Sequence, residues 1–480
     1  MPPPTLSARL SAVVTLEAQA DGQIAARFHG HSVGLGTLSA GAAERAQELR
    51  AGLPLASFGA GRNVDKEIDR LVRRLARLGL LEYRLGRLPN DEDLLVVEPQ
   101  AADYWPRTPQ LGNADVLVLS RFAYLRRRGS DLVLESPRSG ALFKIRNPQI
   151  AAALAILSTP QPIKRLRRQD GFPGLELLAL LLDCRILFKV GPADDGGLRV
   201  SEGDDNLVLW DFQDLLFHAR STEGRHANPL GGVYPYAGVI APLPAVRPRW
   251  PGRKIDLFSA APAQPDLAVA KLLRERHSTR EFDAARPITV AELARFLDGT
   301  ARVLAKSKSP LDIGGRGPLV EYTHRPYPSA GAEYELELYL AVDKCEGLRR
   351  GFYHYDAGAH ALAAIGVAAQ EFDALLAAAQ YAMGATAAPQ ILITIAARFG
   401  RMSWKYSSIA YALILKDAGV LTQTLYLMAS GMGLGGCAIG IANIELFAKM
   451  TGIEFHIEGP VGQFALGRAA QGGASGAATI

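Results

Sequence analysis

The chain has 480 residues and a formal net charge of +5. That length exceeds one compact core and predicts two to four domains. Hydrophobic content of 48% and charged content of 21% are those of a folded protein, and so mild a positive balance does not point to nucleic acid.

The first 200 residues read as two variations on one plan. Residues 24–36 suggest a short hairpin and 40–51 a helix. Asn63 is placed to cap a second helix whose apolar residues Ile68, Leu71, Val72 and Leu75 share a 3.6-period face ended by Gly79. Residues 80–85 then read as a strand. The second copy opens with a hairpin over 131–145, continues with helices over 148–157 and 175–182, and closes with a strand over 185–190. Hairpin, helices and closing strand is a winged-helix order.

Residues 210–225 predict a helix and turn, and 229–251 a Pro- and Gly-rich ordered loop. Beyond residue 255 the pattern is α+β. Helices are expected at 287–298, 371–379 and 409–430. Strands are expected at 335–342, 390–396 and 462–466, with a hairpin of 352–355 and 361–365. Only 409–430 approaches membrane-spanning length. Lys416, Asp417 and Gln423 interrupt it, so a buried core helix is expected instead. The resulting division is 1–100, 101–200, a connecting segment 201–255, and 256–480.

Cys184, Cys345 and Cys437 stand far apart without a Cys-x-x-Cys pair, so neither a disulfide framework nor a cysteine zinc site is expected. None of the nine histidines has metal-ligand spacing, and no metal is predicted. His218, His226 and His324 lie in segments that could approach a ligand, but structural roles are the favoured expectation for each. The N-terminal residues lack a basic segment followed by an apolar one, and a reducing cytoplasm is the simplest compartment.

Several motifs could carry chemistry. In Arg276-His277-Ser278-Thr279-Arg280, alternate residues of an extended segment point one way. Arg276, Ser278 and Arg280 then converge as donors for a phosphate, or else form a solvated basic turn. Gly431-Met432-Gly433-Leu434-Gly435-Gly436 fits the G-x-G-x-x-G expression but follows a helix where the dinucleotide fingerprint follows a strand. It reads as a glycine-rich helix exit passing a ligand, or as a C-cap and turn. Lys405 and Tyr406 precede the apolar helix. A lysine entering an apolar site becomes a usable base with a phenol as relay, whereas a lysine at the surface lays its stem on core aromatics. The basic clusters 126–128 and 164–168 read as a solvated face or as a groove for an acidic peptide or, less favoured, DNA.

With these strings in order the chain resembles the SagB/ThcOx-type dehydrogenases, azoline oxidases of the nitroreductase-like flavoprotein superfamily. The resemblance rests on Trp210-Asp211-Phe212-Gln213-Asp214-Leu215-Leu216-Phe217-His218, on Arg276–Arg280, and on Arg325-Pro326-Tyr327-Pro328-Ser329-Ala330-Gly331-Ala332. It also rests on Trp404-Lys405-Tyr406, Leu415-Lys416-Asp417-Ala418-Gly419, Gly433–Gly440 and Gly459–Gly467. The resemblance implies an α+β, nitroreductase-like FMN domain that forms a homodimer, preceded by two winged-helix-like modules of the kind that grip leader peptides. It implies that Arg276, Ser278 and Arg280 hold the FMN phosphate and ribityl end, with Arg468 a further phosphate candidate. Pro328, Ser329, Ala330, Gly331, Leu434, Gly435 and Gly436 would flank the flavin ring, and Lys405 and Tyr406 would serve catalysis. Glu333 and Glu335 depart from the leucine and proline expected there, which bears on the substrate channel.

The expected reaction is oxidation of a thiazoline or oxazoline in a ribosomal precursor peptide to the azole. A cyclodehydratase complex would be the partner, with no nucleic acid and no membrane. Rival expectations are another flavin oxidoreductase, such as a carrier-bound peptide oxidase or an NAD(P)H nitroreductase, and a peptide-binding scaffold with an inactive flavin domain.

Overall fold

A computed structural model describes residues 4–18, 23–28, 31–59, 63–86, 93–101, 104–169, 172, 174–190, 202–225, 234, 237–247, 255–257, 267–311 and 317–470. His226 and residues 229–233, 235–236 and 248–251 of the Pro- and Gly-rich stretch lie outside the described residues. The chain divides into two compact units, Met1–Asn228 with Tyr406–Ser408, and Pro229–Lys405 with Ile409–Ile480.

The N-terminal unit is built on an antiparallel seven-stranded sheet. Its strand order is Leu53–Pro54, Thr5–Leu10, Leu81–Gly86, Asp93–Pro99, Ala141–Ile145, Asp131–Glu135 and Tyr124–Arg128. The expected hairpin of the first copy forms between Gln23–Phe28 and His31–Thr37, and that of the second between Asp131–Glu135 and Ala141–Ile145. The helix Asn63–Arg77 buries Ile68, Leu71, Val72 and Leu75, the four residues that its periodicity placed on one face. The expected boundary near residue 100 is not a break in structure. Strand Asp93–Pro99 pairs with Leu81–Gly86 on one side and Ala141–Ile145 on the other. One hydrophobic cluster also runs from Ala8 to Leu187. The two halves thus share a sheet and a core.

The C-terminal unit holds a six-stranded antiparallel sheet. Its order is Ala361–Ile365, Gly351–Asp356, Leu336–Val342, Ile391–Arg398, Glu458–Gly467 and Gly435–Ile439. The near-continuous apolar run of Ile391–Arg398 is what a strand covered on both faces requires, and all but its last residue are buried. The buried hydroxyl of Thr394 accepts from Gln463 Nε2 at 3.2 Å on the paired strand. The expected 22-residue apolar helix forms as Ala410–Gly431 and packs inside this unit. No helix among the described residues is long and apolar enough to cross a membrane. The helix expected at 287–298 starts later, as Val290–Thr300, because Thr289 forms a capping box with Glu292.

The glycine-rich string is more than a helix exit. Gly433 turns the chain at φ +68°, and Gly435–Ile439 enters the sheet as an edge strand. A Cβ on Gly436 would overlap the ring of Phe464, which is fully buried. Gly436→Ala should therefore destabilise the C-terminal unit by about 1–3 kcal/mol, whereas Gly440→Ala, where no atom lies within 4 Å of the new carbon, should not. Thermal denaturation of both variants checks this, and equal melting temperatures would contradict it.

Candidate functional site

Two clusters of predicted residues are fastened to the long helix Ala410–Gly431. The first lies at Asp417, which is buried despite its charge. Its Oδ2 accepts from the Ser329 hydroxyl and from the Ala330 amide, both at 2.8 Å. A carboxylate taken from water needs such donors. The loop that supplies them is tightly wound, with φ values of +59° at Gly331, +59° at Ala332 and +47° at Tyr334. Left-handed backbone at two non-glycine positions costs energy that surrounding contacts must offset. The Tyr334 amide donates to Ser329 Oγ at 2.9 Å, closing the loop on itself.

The second cluster lies nine residues further along, at Tyr426. That is about 14 Å along the axis at about 1.5 Å per residue. Its hydroxyl accepts from the Ala438 amide at 2.8 Å and lies 2.8 Å from Ser278 Oγ. The Arg276 guanidinium sits 4.8 Å from the centre of the Tyr426 ring, a cation–π geometry. The Arg276–Arg280 segment forms neither helix nor strand, and Thr279 donates its amide to the Gly436 carbonyl at 2.8 Å. Downstream, Gln390 clamps the chain. Its Oε1 accepts from the Ile288 and Arg468 amides at 2.9 and 3.1 Å, and its Nε2 donates to the Asp283 carbonyl at 2.6 Å. Arg276 and Ser278 are half-buried, and Arg280 is exposed. The Arg280 charge partly offsets the burial that pushes the Cys437 thiol up.

The structure therefore joins the Arg276–Arg280 segment to Gly435 and Gly436 through Thr279 and to the long helix through Arg276 and Ser278, and the loop holding Pro328, Ser329, Ala330 and Gly331 to the same helix through Ser329 and Ala330. Three expectations need qualification. Gly435 and Gly436 lack a Cβ for a packing reason, since one would run into Thr279 and the other into Phe464; with Leu434 they are buried. Arg468 donates to both carboxylate oxygens of Glu292 at 2.8 and 2.9 Å, so its guanidinium already has an anion. Tyr406 belongs to the N-terminal unit, where the nearby Ser408 amide donates to Asp211 Oδ2 at 2.8 Å.

Lys405 closes on the wound loop. Its Nζ donates to the Gly331 carbonyl at 2.9 Å and pairs with Glu333 Oε1 at 3.0 Å. Glu333 and Glu335, the two departures in the sequence, are 3% and 0% exposed. Asp417, Tyr426 and Arg401 were assigned no role from the sequence. For Asp417 and Tyr426 a charged or phenolic residue within an apolar helix was the available clue, and Arg401, in the short helix Phe399–Ser403, had none.

Burial pushes the Glu335 carboxyl up to about 7, with the neighbouring Asp417 charge adding to it. Hydrogen-bond inventory agrees. Ser329 Oγ has one hydrogen, which the 2.8 Å contact to Asp417 takes, and its 3.3 Å contact to Glu335 Oε2 is satisfied when Glu335 carries a proton.

A separate cavity of about 480 Å³ is lined by Arg325, Glu337, Tyr339, His354, Arg398 and Glu458 among others, and by none of the predicted site residues. Glu337 raises the His354 pKa through a 3.3 Å contact, and burial raises that of Glu458 although Tyr339 donates to it at 2.7 Å. His218 is fully buried and stacks on Trp210 in the N-terminal unit, a structural placement.

Comparison with known proteins gives the class. Residues 273–468 match the nitroreductase family, so the C-terminal unit carries a nitroreductase-family oxidoreductase domain. Residues 117–227 match the profile of the cyanobactin oxidase ThcOx. A protein of Methanocaldococcus jannaschii named as a nitroreductase is 29% identical over 179 residues, covering 37% of this chain and 81% of its own. Among solved structures, a Ralstonia eutropha protein described as a nitroreductase shares 24% identity, covering 43% of this chain and 88% of its own, with a TM-score of 0.32. The E. coli microcin synthetase McbBCD complex with truncated pro-MccB17 bound shares 17% identity over 55% of this chain and 97% of that chain, with a TM-score of 0.39.

Glu335 gives a pH prediction. The folded carboxyl binds its proton up to about pH 7, whereas an exposed one releases it near 4.5. Between these values the folded state holds the extra proton, so stability is greatest below the window and falls as pH rises through it, by about 3 kcal/mol in all. Glu335→Gln, which cannot ionise, should gain thermal stability relative to the native protein on going from pH 5 to pH 8. A difference in melting temperature that does not change with pH would contradict this.

Proposed function

We propose that the protein is a flavin-dependent dehydrogenase that oxidises azoline rings of a modified peptide to azoles, with FMN bound in the C-terminal unit. The observation that carries this is the long helix Ala410–Gly431. Through Tyr426 it fastens a segment of two arginines and a hydroxyl, and through Asp417 it fastens the loop that Lys405 reaches. An anion-binding end and a ring-facing end about 14 Å apart along the helix suit a molecule with a phosphate tail and a flat head. The azoline substrate class is supported by the ThcOx match upstream of the nitroreductase-family domain.

The donor set fits a phosphate. Arg276 and Arg280 supply fixed charge, and guanidinium forks match phosphate oxygens. Since the Ala438 amide donates into Tyr426 Oη, the phenol hydrogen can go to Ser278 Oγ, leaving the serine hydrogen for a phosphate oxygen. Residues 434–436 would serve by letting this segment pack close to the sheet. Pro328, Ser329, Ala330 and Gly331 would flank the ring, their loop held against Asp417.

When bound, the flavin would supply the hydride acceptor that aromatisation needs. The chain would supply the base. Lys405 Nζ is held at the Gly331 carbonyl, where it can take the proton from a ring carbon next to the hydride-donating position. Tyr406 remains a candidate for proton relay on the strength of its place after Lys405. The precursor peptide, the cyclodehydratase partner and homodimer formation belong to the same proposal.

The test is incubation of an azoline-containing peptide with the purified yellow protein, followed by mass spectrometry. The native protein should remove two hydrogens per ring. Lys405→Ala should keep its flavin absorbance and lose at least about a hundredfold in rate, the scale of a general base. Full turnover by Lys405→Ala would remove the base assignment. Oxidation of nicotinamide donors with nitroaromatics, and none of azolines, would favour a nitroreductase activity instead.

A further inference from the structure

Lys405 is part of a charged triad within the C-terminal unit. The Glu333 side chain is 3% exposed, with Oε1 3.0 Å from Lys405 Nζ and Oε2 3.7 Å from Arg401 Nη2. Arg401 is anchored independently, since its Nε donates to the Glu333 carbonyl and its Nη2 donates to the Glu321 carbonyl at 2.9 Å. Lys405 Nζ also donates to the Gly331 carbonyl and lies 5.7 Å from the centre of the Tyr322 ring. A guanidinium keeps its charge at any working pH. The Arg401 charge also reaches Glu321, whose carboxyl it helps to lower. The Lys405 ammonium therefore has an attractive neighbour in the Glu333 carboxylate and a repulsive one in the Arg401 guanidinium, and the proton that this contest governs is the lysine's.

We propose that Glu333 and Arg401 are positioning residues that govern, in opposite directions, the gain and loss of a proton at Lys405. The carboxylate holds the ε-amine against the wound loop and favours the ammonium, and the guanidinium opposes it. This rests on the reading of Lys405 as the base. The Lys405 side chain is still 31% exposed. A peptide covering that remainder strips water from the ammonium, which releases its proton to solvent. The amine nitrogen then takes up the ring-carbon proton in the following step, so each turnover exchanges one proton. The base is uncharged where substrate sits and charged elsewhere.

The test is acetylation of the full-length protein with limiting acetic anhydride across neutral to alkaline pH, reading Lys405 modification by mass spectrometry. Glu333→Gln should move the onset of Lys405 reactivity about one pH unit lower, and Arg401→Gln should move it higher. Arg401 also ties down two carbonyls, so Arg401→Lys is the control: it keeps a cation and should retain the native onset. An unchanged onset in both Gln variants, or shifts of the same sign, would overturn the proposal, as would Arg401→Lys behaving like Arg401→Gln. Opposite shifts accompanied by full azoline turnover in Lys405→Ala would uphold the triad and remove only the base assignment.

Discussion

A carboxylate buried in an apolar helix must find donors, and Asp417 finds two in a single loop, at Ser329 and Ala330. The candidate site depends on this constraint. It fixes the loop against the long helix, and the loop in turn presents the Gly331 carbonyl to Lys405 and draws Glu333 and Glu335 into the interior. Tyr426, on the same helix, orders the Arg276–Arg280 segment at the other end. One rigid element thereby positions groups from three distant parts of the sequence, which is how a site gains preorganised geometry.

Much of this was legible beforehand. The helix Asn63–Arg77 announced its buried face by period, and the strand Ile391–Arg398 by an unbroken apolar run. The hairpin of Ala305–Pro310 and Leu319–His324 was missed because its first strand is wholly exposed and its second has no buried residue, so no hydrophobic face marks it. The strand Gly435–Ile439 was missed for another reason. Glycine is depleted in strands, and it is tolerated here only because Thr279 and Phe464, remote in sequence, occupy the space of the absent Cβ atoms. The sheet shared across residue 100 was not legible because strand pairing is invisible to local composition.

The acidic residues carry the larger lesson. Glu333 and Glu335 stood out in the sequence only as departures from a resembled family, and their side chains prove to be interior. Glu335 is held above the usual carboxylate range by burial beside Asp417. Glu333 instead meets two cations. Two carboxyls two residues apart thus have opposite electrostatic surroundings, because the left-handed turn at Tyr334 between them sends their side chains to different neighbours. Such separation of neighbouring titratable groups is characteristic of sites that move protons.

The central claim is that the long helix organises a flavin site, and cofactor binding tests it most directly. Protein stripped of flavin and titrated with FMN, followed by quenching of flavin fluorescence, should bind one equivalent per chain. With Arg276 and Arg280 both replaced by alanine, affinity should fall at least about tenfold, as loss of two charge-assisted contacts requires. Unchanged affinity in the double variant, or no binding by the native chain, would contradict the account.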